Sequence, residues 1–287
     1  MKLLPVDNKF LQVVDSSFSH SHCMVSDSDP KYFEWTRDLR SMDHVFLTHE
    51  KILLAAEYRS LGFKKIIGVF YESPSILSST FKQIYKLGSN LDLDILLTSN
   101  SKMLRLPNTK WIPGGGIWNY KNLIDINSLI LNKKESVSLV CSGKNVTKLH
   151  KFRRRIFDKL LFDDRVVLFG PPICNPVASD QTLRNFRFSI VVENHLDPNY
   201  FTEKILNCFA QGTIPIYYGS AIIDNFFESN GIIRFSDMND LDKILPTLTK
   251  DLYMSKIDAV INNYLLAINR FSNIENYIID NEICTLS

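Results

Sequence analysis

The sequence lacks the features that mark secreted and membrane-spanning proteins. The N-terminal stretch MKLLPVDNKFLQVVDSS has an apolar core too short for a signal peptide, and no later segment approaches the roughly 20 apolar residues that cross a bilayer. The 5 cysteines are widely spaced and include no C-x-x-C pair, and their odd number does not suit a disulfide framework. Such cysteines are typical of reduced thiols, so we expect a cytoplasmic protein without a membrane span.

A strong net charge is also missing. The 33 Lys and Arg residues nearly balance the 31 Asp and Glu residues, and the formal net charge is +2. Nucleic-acid-binding domains carry an extended basic patch, so we expect no nucleic-acid partner and only local cationic sites. The Asp-x-Asp pairs at 27–29 and 92–94 are typical of solvated surface groups, and the His-Ser-His-Cys cluster at 20–23 has no partner segment. We therefore predict no metal site.

What the chain does have is a regular alternation of strand-like and helix-like segments. Short continuous apolar runs are typical of parallel strands buried on both faces, and amphipathic segments between them are typical of the helices that cover the sheet. The predicted strands are 44–48, 64–70, 93–98, 136–142, 165–170, 188–194, 213–219 and 231–235. The predicted helices are 147–162, 201–211, 221–229, 239–250 and one long C-terminal helix over 253–280.

The length of 287 residues suits two domains rather than one. A charged, turn-like cluster at 126–136 precedes a new strand, which makes it the best candidate for the boundary. We therefore predict an α/β domain at 1–134 and a second α/β domain, with a terminal helix, at 135–287. Their parallel sheets are expected to face a central cleft.

Polar side chains stand at the junctions of one strand–helix–strand unit, FSIVVENHLDPNYFTEKILNCFAQGTIPIYYGS at 188–220. Glu193 and Asn194 end its first strand, and its helix opens with Glu203 and Lys204. Parallel sheets bind ligands beside helix N-termini, whose unpaired N–H groups and macrodipole attract anions, so Lys204 indicates a phosphate or pyrophosphate ligand. Glu203 suits either a sugar diol beside the phosphates or the helix dipole alone, and the sequence leaves both interpretations open.

The same stretch resembles the signature of the α1,3/α1,4-fucosyltransferases, glycosyltransferase family 10. That signature reads approximately F-x-x-x-x-E-N-x-x-x-x-x-Y-x-T-E-K-x-x-x-A/C-x-x-x-G-x-x-P-x-x-x-G, and each position is occupied here from Phe188 to Gly219. The likeness extends upstream through SLVCSGKNVTKLHKFRRRIFDKL and downstream through IIDNFFESNGIIRFSDMNDL. It is weaker in the first half, at VFYESPS and WIPGGGIW, where it is similar to the stemless bacterial or viral members.

This resemblance implies a GT-B-like fold, in which two Rossmann-like domains are present and the second one binds the nucleotide sugar. It also implies four contacts to GDP-fucose, at Asn194, Tyr200, Glu203 and Lys204. Within that set, Lys204 is implied at the pyrophosphate and Glu203 at the ribose.

A further phosphate ligand is implied on the helix that follows the first strand of the second domain. The matching residue in KFRRRIFDKL is Arg153, although Arg154 and Arg155 leave the register open. Further candidate site residues lie in the signature or in a glycine-rich turn, namely Glu193, Thr202, Gly219 and Gly115.

The acceptor side depends on one carboxylate. Glu72 follows an apolar strand in IIGVFYESPS, and Glu-Ser-Pro resembles a family element whose Glu is implied to be the catalytic base. A positioned carboxylate can take the acceptor's proton as its oxygen attacks the anomeric carbon. The alternative is structural, because Ser73-Pro74 is also typical of a helix opening beside which Glu72 is simply exposed.

Taken together, the resemblance implies an inverting transfer of fucose from GDP-fucose to a glycan hydroxyl, with an α1,3-type linkage. Glu193 and Glu203 are ten positions apart, which is wider than the Glu pair of many retaining enzymes of this fold. Cationic groups at the diphosphate make a cofactor unnecessary, with a divalent metal as a stimulant at most. The alternatives are another nucleotide hexose donor on the same fold, or a carbohydrate- or nucleotide-binding protein without turnover.

Overall fold

The computed structural model describes residues 31, 44–118, 124–171 and 181–283, together with the backbone of 9–13 and 34–36. These residues belong to two compact units. The first comprises Met1–Gly116 and Asn273–Ser287, and the second comprises Ile117–Ser272. Each unit is built on its own parallel β-sheet.

The first unit contains, within its described residues, a six-stranded sheet in which every pairing is parallel. Its strands β1 to β6 are Lys9–Val13, Glu34–Thr36, His44–Thr48, Lys65–Phe70, Ile95–Thr98 and Thr109–Trp111, in the sheet order β2-β1-β3-β4-β5-β6. Its α-helices are α1 (Ala55–Ser60), α2 (Ser78–Leu87) and, from the C-terminus, α10 (Ile274–Asp280). Shorter 3-10 helices occupy His49–Leu54, Gly88–Asn90 and Met103–Arg105.

The second unit contains, within its described residues, a five-stranded parallel sheet. Its strands β7 to β11 are Glu135–Val140, Val166–Phe169, Phe186–Val192, Ile214–Tyr218 and Ile233–Arg234, in the sheet order β11-β10-β9-β7-β8. Its helices α3 to α9 are Ile126–Leu131, Lys148–Lys159, Gln181–Arg184, Glu203–Ala210, Met238–Ile244, Lys250–Ser255 and Ile257–Phe271. The 3-10 helices are Ala221–Asn225, Ser229–Gly231 and Leu245–Thr247.

Both faces of the first sheet are covered, which explains its strand sequences. Phe46 and Ile67 belong to one apolar cluster, together with residues of α10, whereas Val45 and Ile66 belong to another that includes residues of α1 and α2. Because successive side chains point to opposite faces, burial of both faces requires a continuous apolar run. The predicted α/β fold with parallel sheets is confirmed, and every predicted strand is present.

The division between the units differs from the predicted boundary at 134/135. The second unit already begins at Ile117, and the residues after Ser272 belong to the first unit. Helix α10 explains the second difference, because Ile274 and Ile278 are buried in an apolar cluster of the first sheet. An amphipathic pattern predicts a helix but does not specify which sheet its apolar stripe covers.

The C-terminal segment is interrupted where one helix over 253–280 was expected. It consists of the end of α8, then α9, then α10. The Asn273 side chain accepts the backbone N–H of Asn276, so it caps a new helix just after α9 ends. The expected helix at 221–229 is likewise replaced by two 3-10 helices, and the sequence pattern does not predict the short strands β1, β2 and β6.

Two of the cysteines, Cys141 and Cys208, are buried free thiols. The other three, Cys23, Cys174 and Cys284, lie outside the described residues, as do the polar clusters at 20–23 and 27–29. None of the helices in the described ranges combines the length and the apolarity needed to cross a membrane.

A buried lysine joins three segments of the second unit. Lys133 is 7% exposed, and its Nζ donates to the carbonyls of Leu183 (3.2 Å) and Gln211 (2.6 Å) and to the hydroxyl of Thr213 (2.8 Å). These three acceptors match the three protons of the ammonium group, so the buried charge is satisfied. Burial nevertheless lowers the pKa of Lys133 well below its ordinary value.

We predict that Lys133→Ala lowers the free energy of unfolding by about 2–3 kcal/mol, because two buried carbonyls lose a charged donor. Urea unfolding followed by circular dichroism measures the loss. The exposed neighbour Lys134 provides the matched control, and Lys134→Ala should change stability by less than about 0.5 kcal/mol. Equal losses in both variants would contradict the role assigned to Lys133.

The lowered pKa adds a pH signature to the same comparison. Between the folded-state pKa of Lys133 and the ordinary Lys pKa of about 10.4, the unfolded chain binds more protons than the folded one. Stability of the wild type should therefore rise with pH in that window, and this contribution should be absent from Lys133→Ala.

Candidate functional site

A cavity of about 380 Å³ lies at the carboxyl ends of β7 and β9 in the second unit. Its wall comes from β7, α4, α5, β9 and α6, and its volume is within the range of small-molecule sites. Its charged and amide-bearing lining is Lys144, His150, Arg153, Asn194, Glu203 and Lys204, with Asn207 further along α6. Its apolar lining includes Val140, Leu183, Val191 and Cys208.

The buried carboxylate of Glu193 connects the end of β9 to the start of α6. Glu193 is 0% exposed and accepts the backbone N–H of Thr202 (3.0 Å) and the hydroxyl of Thr202 (2.8 Å). The Tyr217 hydroxyl donates to the same carboxylate at 3.4 Å. Burial is the main cause that raises the pKa of Glu193, opposed by the nearby Lys204 ammonium. Glu193 thus lies beneath the cavity wall and positions the first turn of α6.

Lys204 projects from that first turn and is surrounded by oxygen atoms. Its Nζ donates to the Thr202 hydroxyl (2.9 Å) and the Glu203 carboxylate (3.0 Å), and it lies 3.6 Å from the Glu193 carboxylate. Burial by itself would lower the pKa of Lys204, but the Glu203 and Glu193 carboxylates outweigh it and hold the pKa above its ordinary value. Lys204 is therefore a fixed cation in the cavity wall.

Gly219 makes room for this network. A Cβ at position 219 would overlap the phenol end of Tyr217 and would lie 2.9 Å from the Glu193 Cγ atom. Both of those side chains are fully buried, so neither can move aside freely. This close approach gives the signature glycine a packing role, and a contact of Gly219 to a ligand stays a prediction.

Arg153 is the arginine of the triple cluster that lines the cavity. It is 7% exposed, its Nη1 donates to the Val192 carbonyl (3.1 Å), and its buried Nε has no hydrogen-bond partner. Within the described ranges no carboxylate forms an ion pair with it, whereas Arg154 pairs with Asp158 at 2.9 Å. Arg155 is exposed and lies over the Phe152 ring. A buried cation without a carboxylate is unfavourable unless an anionic ligand completes it.

His150 and Asn194 join the same wall from two different elements. The His150 Nδ1 atom accepts the backbone N–H of Thr147 at 3.2 Å, which closes a capping box at the start of α4. Its Nε2 atom lies 3.1 Å from the Asn194 Oδ1 atom. Burial, and then the charge of Arg153, lower the pKa of His150.

Two other predicted residues, Tyr200 and Thr202, are not part of the cavity wall. Tyr200 is buried, its backbone N–H donates to the Asp197 carbonyl, and its ring lies 6.2 Å from that of His195. Thr202 is the N-cap residue of α6, and its hydroxyl also holds Lys204.

Glu72 and Gly115 belong to the first unit, so their part in a site stays a prediction. The Glu72 carboxylate accepts the backbone N–H of Ser73 at 2.7 Å, and Glu72 is partly exposed. The segment after it is not a helix opening, because Ile76 and Leu77 donate to the Ser73 carbonyl in a turn and α2 begins only at Ser78. Gly115 is buried in the irregular segment that follows β6.

The Asp-x-Asp pair at 92–94 is engaged with an arginine. Arg59 forms ion pairs with Asp92 (3.0 Å) and Asp94 (2.9 Å), and Asp94 also accepts the backbone N–H of Ile66. In the described segments, no group of three His, Cys, Asp or Glu side chains is arranged to hold a metal ion.

Three of the charged and amide-bearing lining residues, Lys144, His150 and Asn207, were not predicted from the sequence. The His150 side chain could have been noticed from the pattern Thr147-x-x-His150, which has the spacing of a capping box with His in place of Glu or Gln. Lys144 lies in the exposed loop after β7, and no local pattern distinguishes it from other surface lysines.

The second half of the chain matches a family model. The model is described as glycosyltransferase family 10 (fucosyltransferase) C-term, and it matches residues 130–284, more than half of the 287 residues. Every cavity-lining side chain named above lies within this range.

Two curated relatives are similar to shorter segments. The GDP-fucose protein O-fucosyltransferase 3 of Xenopus tropicalis is 32% identical over 104 residues, which cover 31% of this chain and 22% of that protein. The alpha-(1,3)-fucosyltransferase FucT of Helicobacter pylori is 28% identical over 71 residues, which cover 25% of this chain and 15% of that protein. The chain therefore matches only about a fifth of the length of these relatives.

Two solved structures share the fold over most of the chain. A crystal structure of an alpha1,3-fucosyltransferase with GDP has a TM-score of 0.56 at 15% identity, covering 97% of this chain and 90% of that chain. HepE of Anabaena in complex with UDP-glucose has a TM-score of 0.55 at 13% identity, covering 84% of this chain and 78% of that chain. At such identities the likeness shows the fold alone, and it confirms the predicted GT-B-like fold class.

We predict that Gly219→Ala lowers the free energy of unfolding by about 1–3 kcal/mol, because the added methyl group overpacks Tyr217 and Glu193. Thermal or urea unfolding measures the effect. Gly143→Ala is the matched control, since the nearest atom to its new Cβ is 4.0 Å away. Unchanged stability in Gly219→Ala would mean that the Glu193 network adapts easily.

Proposed function

The chain belongs to glycosyltransferase family 10, the fucosyltransferase family, and from this premise we propose that it transfers fucose from GDP-fucose to a hydroxyl group of a glycan. The proposed reaction inverts the anomeric centre and forms an α1,3-type linkage. Family membership supports the donor, and the crystal structure of an alpha1,3-fucosyltransferase with GDP, which shares the fold, is consistent with it.

The observation that supports the proposal most directly is that the hydrogen bonding and charge pairing of Arg153 are incomplete. Its guanidinium is buried at the cavity without a carboxylate among the described residues, and Lys204 of α6 lines the same cavity near enough for the two charges to interact. A diphosphate supplies the negative charge and the hydrogen-bond acceptors that such a pair of cations needs. We propose that the diphosphate of the donor lies between Arg153, Lys204 and the first turn of α6.

The remaining donor contacts follow from that placement. Glu203 lines the cavity beside Lys204, and its carboxylate can accept hydrogen bonds from the ribose diol. Asn194 supplies an amide at the end of β9, and Tyr200 buries its ring under the same loop. We propose that Glu203 binds the ribose and that Asn194 and Tyr200 also contact the nucleotide-sugar donor.

The proposed chemistry needs one base and one stabilised leaving group. The Glu72 carboxylate takes the proton from the acceptor hydroxyl as its oxygen attacks C1 of fucose. The bond from C1 to the β-phosphate oxygen breaks, and GDP leaves with the bonding electrons. Lys204 and Arg153 stabilise the charge that develops on the diphosphate, so we propose that no divalent metal is required.

A different nucleotide hexose is the second candidate donor. The fold that the chain shares with HepE, whose crystal structure is in complex with UDP-glucose, favours including this alternative. The diphosphate chemistry would be the same, and only the base and sugar contacts would differ.

A panel of nucleotide sugars, incubated with the protein and a mixture of glycan acceptors, tests the proposal. Released nucleotide and extended glycan are both read by mass spectrometry. GDP release with a fucose mass increment on the acceptor is expected. Release from another nucleotide sugar would select the second candidate, and no release from any donor would reject glycosyl transfer.

We predict that Arg153→Met and Lys204→Ala each weaken GDP binding by about 1.5–3 kcal/mol, because each removes a charge-assisted hydrogen bond to phosphate. Isothermal titration calorimetry measures the affinity. For Arg153→Met we expect no matching loss of thermal stability, since it removes a buried cation that has no carboxylate partner.

Arg154→Ala is the matched control for these variants. Arg154 is adjacent in sequence, but it pairs with Asp158 rather than lining the cavity. Its GDP affinity should stay within about 0.5 kcal/mol of the wild type. Equal effects of Arg153→Met and Arg154→Ala would contradict the assignment of the diphosphate site.

We also predict that Glu72→Gln binds GDP normally but loses at least about 100-fold in transfer rate, because the amide cannot accept the proton. Initial rates with saturating donor and calorimetry on the same preparation separate the two effects. Glu57→Gln, an exposed carboxylate of α1, is the control and should retain full activity. Full activity of Glu72→Gln would end its assignment as the base.

A further inference from the structure

His150 is a buried imidazole whose two nitrogen atoms contact two different elements of the second unit. It occupies the third position of α4 and is 1% exposed. One nitrogen serves the start of its own helix, and the other reaches Asn194 at the end of β9. The proposed diphosphate site assigns no role to this arrangement.

The backbone of Thr147 determines which nitrogen carries the proton. A peptide N–H can only donate, so the Nδ1 atom of His150, 3.2 Å from the Thr147 nitrogen, must be an unprotonated acceptor. A neutral imidazole with an unprotonated Nδ1 carries its proton on Nε2. The capping box therefore selects the Nε2–H tautomer, and it excludes the doubly protonated ring.

The tautomer in turn determines the orientation of the Asn194 amide. The Nε2–H of His150 donates over 3.1 Å, so the Asn194 atom that faces it must be the carbonyl oxygen. The amide nitrogen then points away from His150. Within the described part of the chain, no residue accepts a hydrogen bond from this nitrogen, and Asn194 lines the cavity.

We propose that His150 is a positioning residue that holds the Asn194 amide nitrogen toward the cavity as a hydrogen-bond donor to a diphosphate or sugar oxygen of the bound nucleotide sugar. This inference rests on the proposed function, which supplies the ligand. With this orientation Asn194 can only donate a hydrogen bond toward the cavity. The site therefore favours a ligand oxygen that accepts a hydrogen bond at this position, and it disfavours a ligand N–H or O–H group that donates one.

Burial and the surrounding cations keep His150 in the required neutral state. Arg153 lies on the same helix, Lys204 faces it from α6, and Lys144 lies in the loop after β7. The Glu203 carboxylate lines the same cavity and is paired with Lys204. Burial together with the three cations lowers the pKa of His150, so the ring stays unprotonated near neutral pH.

Two substitutions separate the two nitrogen atoms. In His150→Asn, the amide lies where Nδ1 was, so the Thr147 N–H keeps an acceptor but Asn194 loses its donor. In His150→Gln, the longer side chain places an N–H₂ group near the position of Nε2, so Asn194 keeps a donor. We expect His150→Asn to weaken GDP binding by about tenfold and His150→Gln to stay within about threefold of the wild type.

A double-mutant cycle tests whether His150 acts through Asn194. Asn194→Ala should weaken GDP binding by about tenfold, and adding His150→Asn in that background should cause no further loss. Thermal unfolding of all variants checks that they fold. If the two losses multiply, or if His150→Asn and His150→Gln lose affinity equally, the positioning role is overturned.

The tautomer can be measured without any ligand. Nitrogen-15 NMR of the histidine-labelled wild type at neutral pH should show His150 as the Nε2–H form, with His150→Gln identifying its signals. A proton on Nδ1 would overturn the inference even if GDP binds. Failure of the wild type to bind GDP would instead overturn the proposed function, while the NMR result would still decide the hydrogen-bond arrangement.

Discussion

The Glu193 carboxylate is the constraint on which the geometry of the second unit's cavity depends. A carboxylate with no solvent exposure is tolerated only when its oxygen atoms are fully used, and here the Thr202 backbone, the Thr202 hydroxyl and Tyr217 all donate to it. Those bonds fix the residue at which α6 begins, because Thr202 is also the N-cap. The position of every side chain in the first turn of α6 follows from this attachment.

The two cations of the cavity are held in different ways. Lys204 is held beforehand by the oxygen atoms of Thr202 and Glu203, so its ammonium group needs no reorganisation when a ligand arrives. The Arg153 guanidinium donates to the Val192 carbonyl, whereas its buried Nε has no hydrogen-bond partner among the described residues. One cation is preorganised and the other keeps an unsatisfied N–H donor, which is consistent with the diphosphate site proposed above.

Hydrogen bonds between elements hold this arrangement together. The end of β9 receives one contact from α4 through Arg153 and Val192, and another through His150 and Asn194. Because both contacts come from the same face of α4, a small shift of that helix would disturb the cation and the amide together. Gly219 belongs to the same constraint, since its missing side chain is what allows Tyr217 and Glu193 to meet.

Much of the fold and part of the site could be predicted from the sequence, because the signals are local. Continuous apolar runs such as those of β4 and β9 predict buried parallel strands, and Glu193 through Lys204 stand at a strand end and a helix start whatever surrounds them. His150, Arg153 and Ile156 follow one another at three-residue intervals on the buried face of α4. This spacing favours Arg153 over Arg154 and Arg155 as the arginine that faces inward.

Contacts between residues that are distant in the chain could be established only from the tertiary structure. The pattern of α10 predicts a helix, but only packing assigns Ile274 and Ile278 to the first unit, because any apolar sheet face can accept an apolar stripe. Likewise, the sequence determined that His150 could cap α4, whereas its contact with Asn194 depends on how α4 lies against β9. Hydrogen bonds between residues distant in the chain require a fixed three-dimensional arrangement, and spacing along the sequence does not specify it.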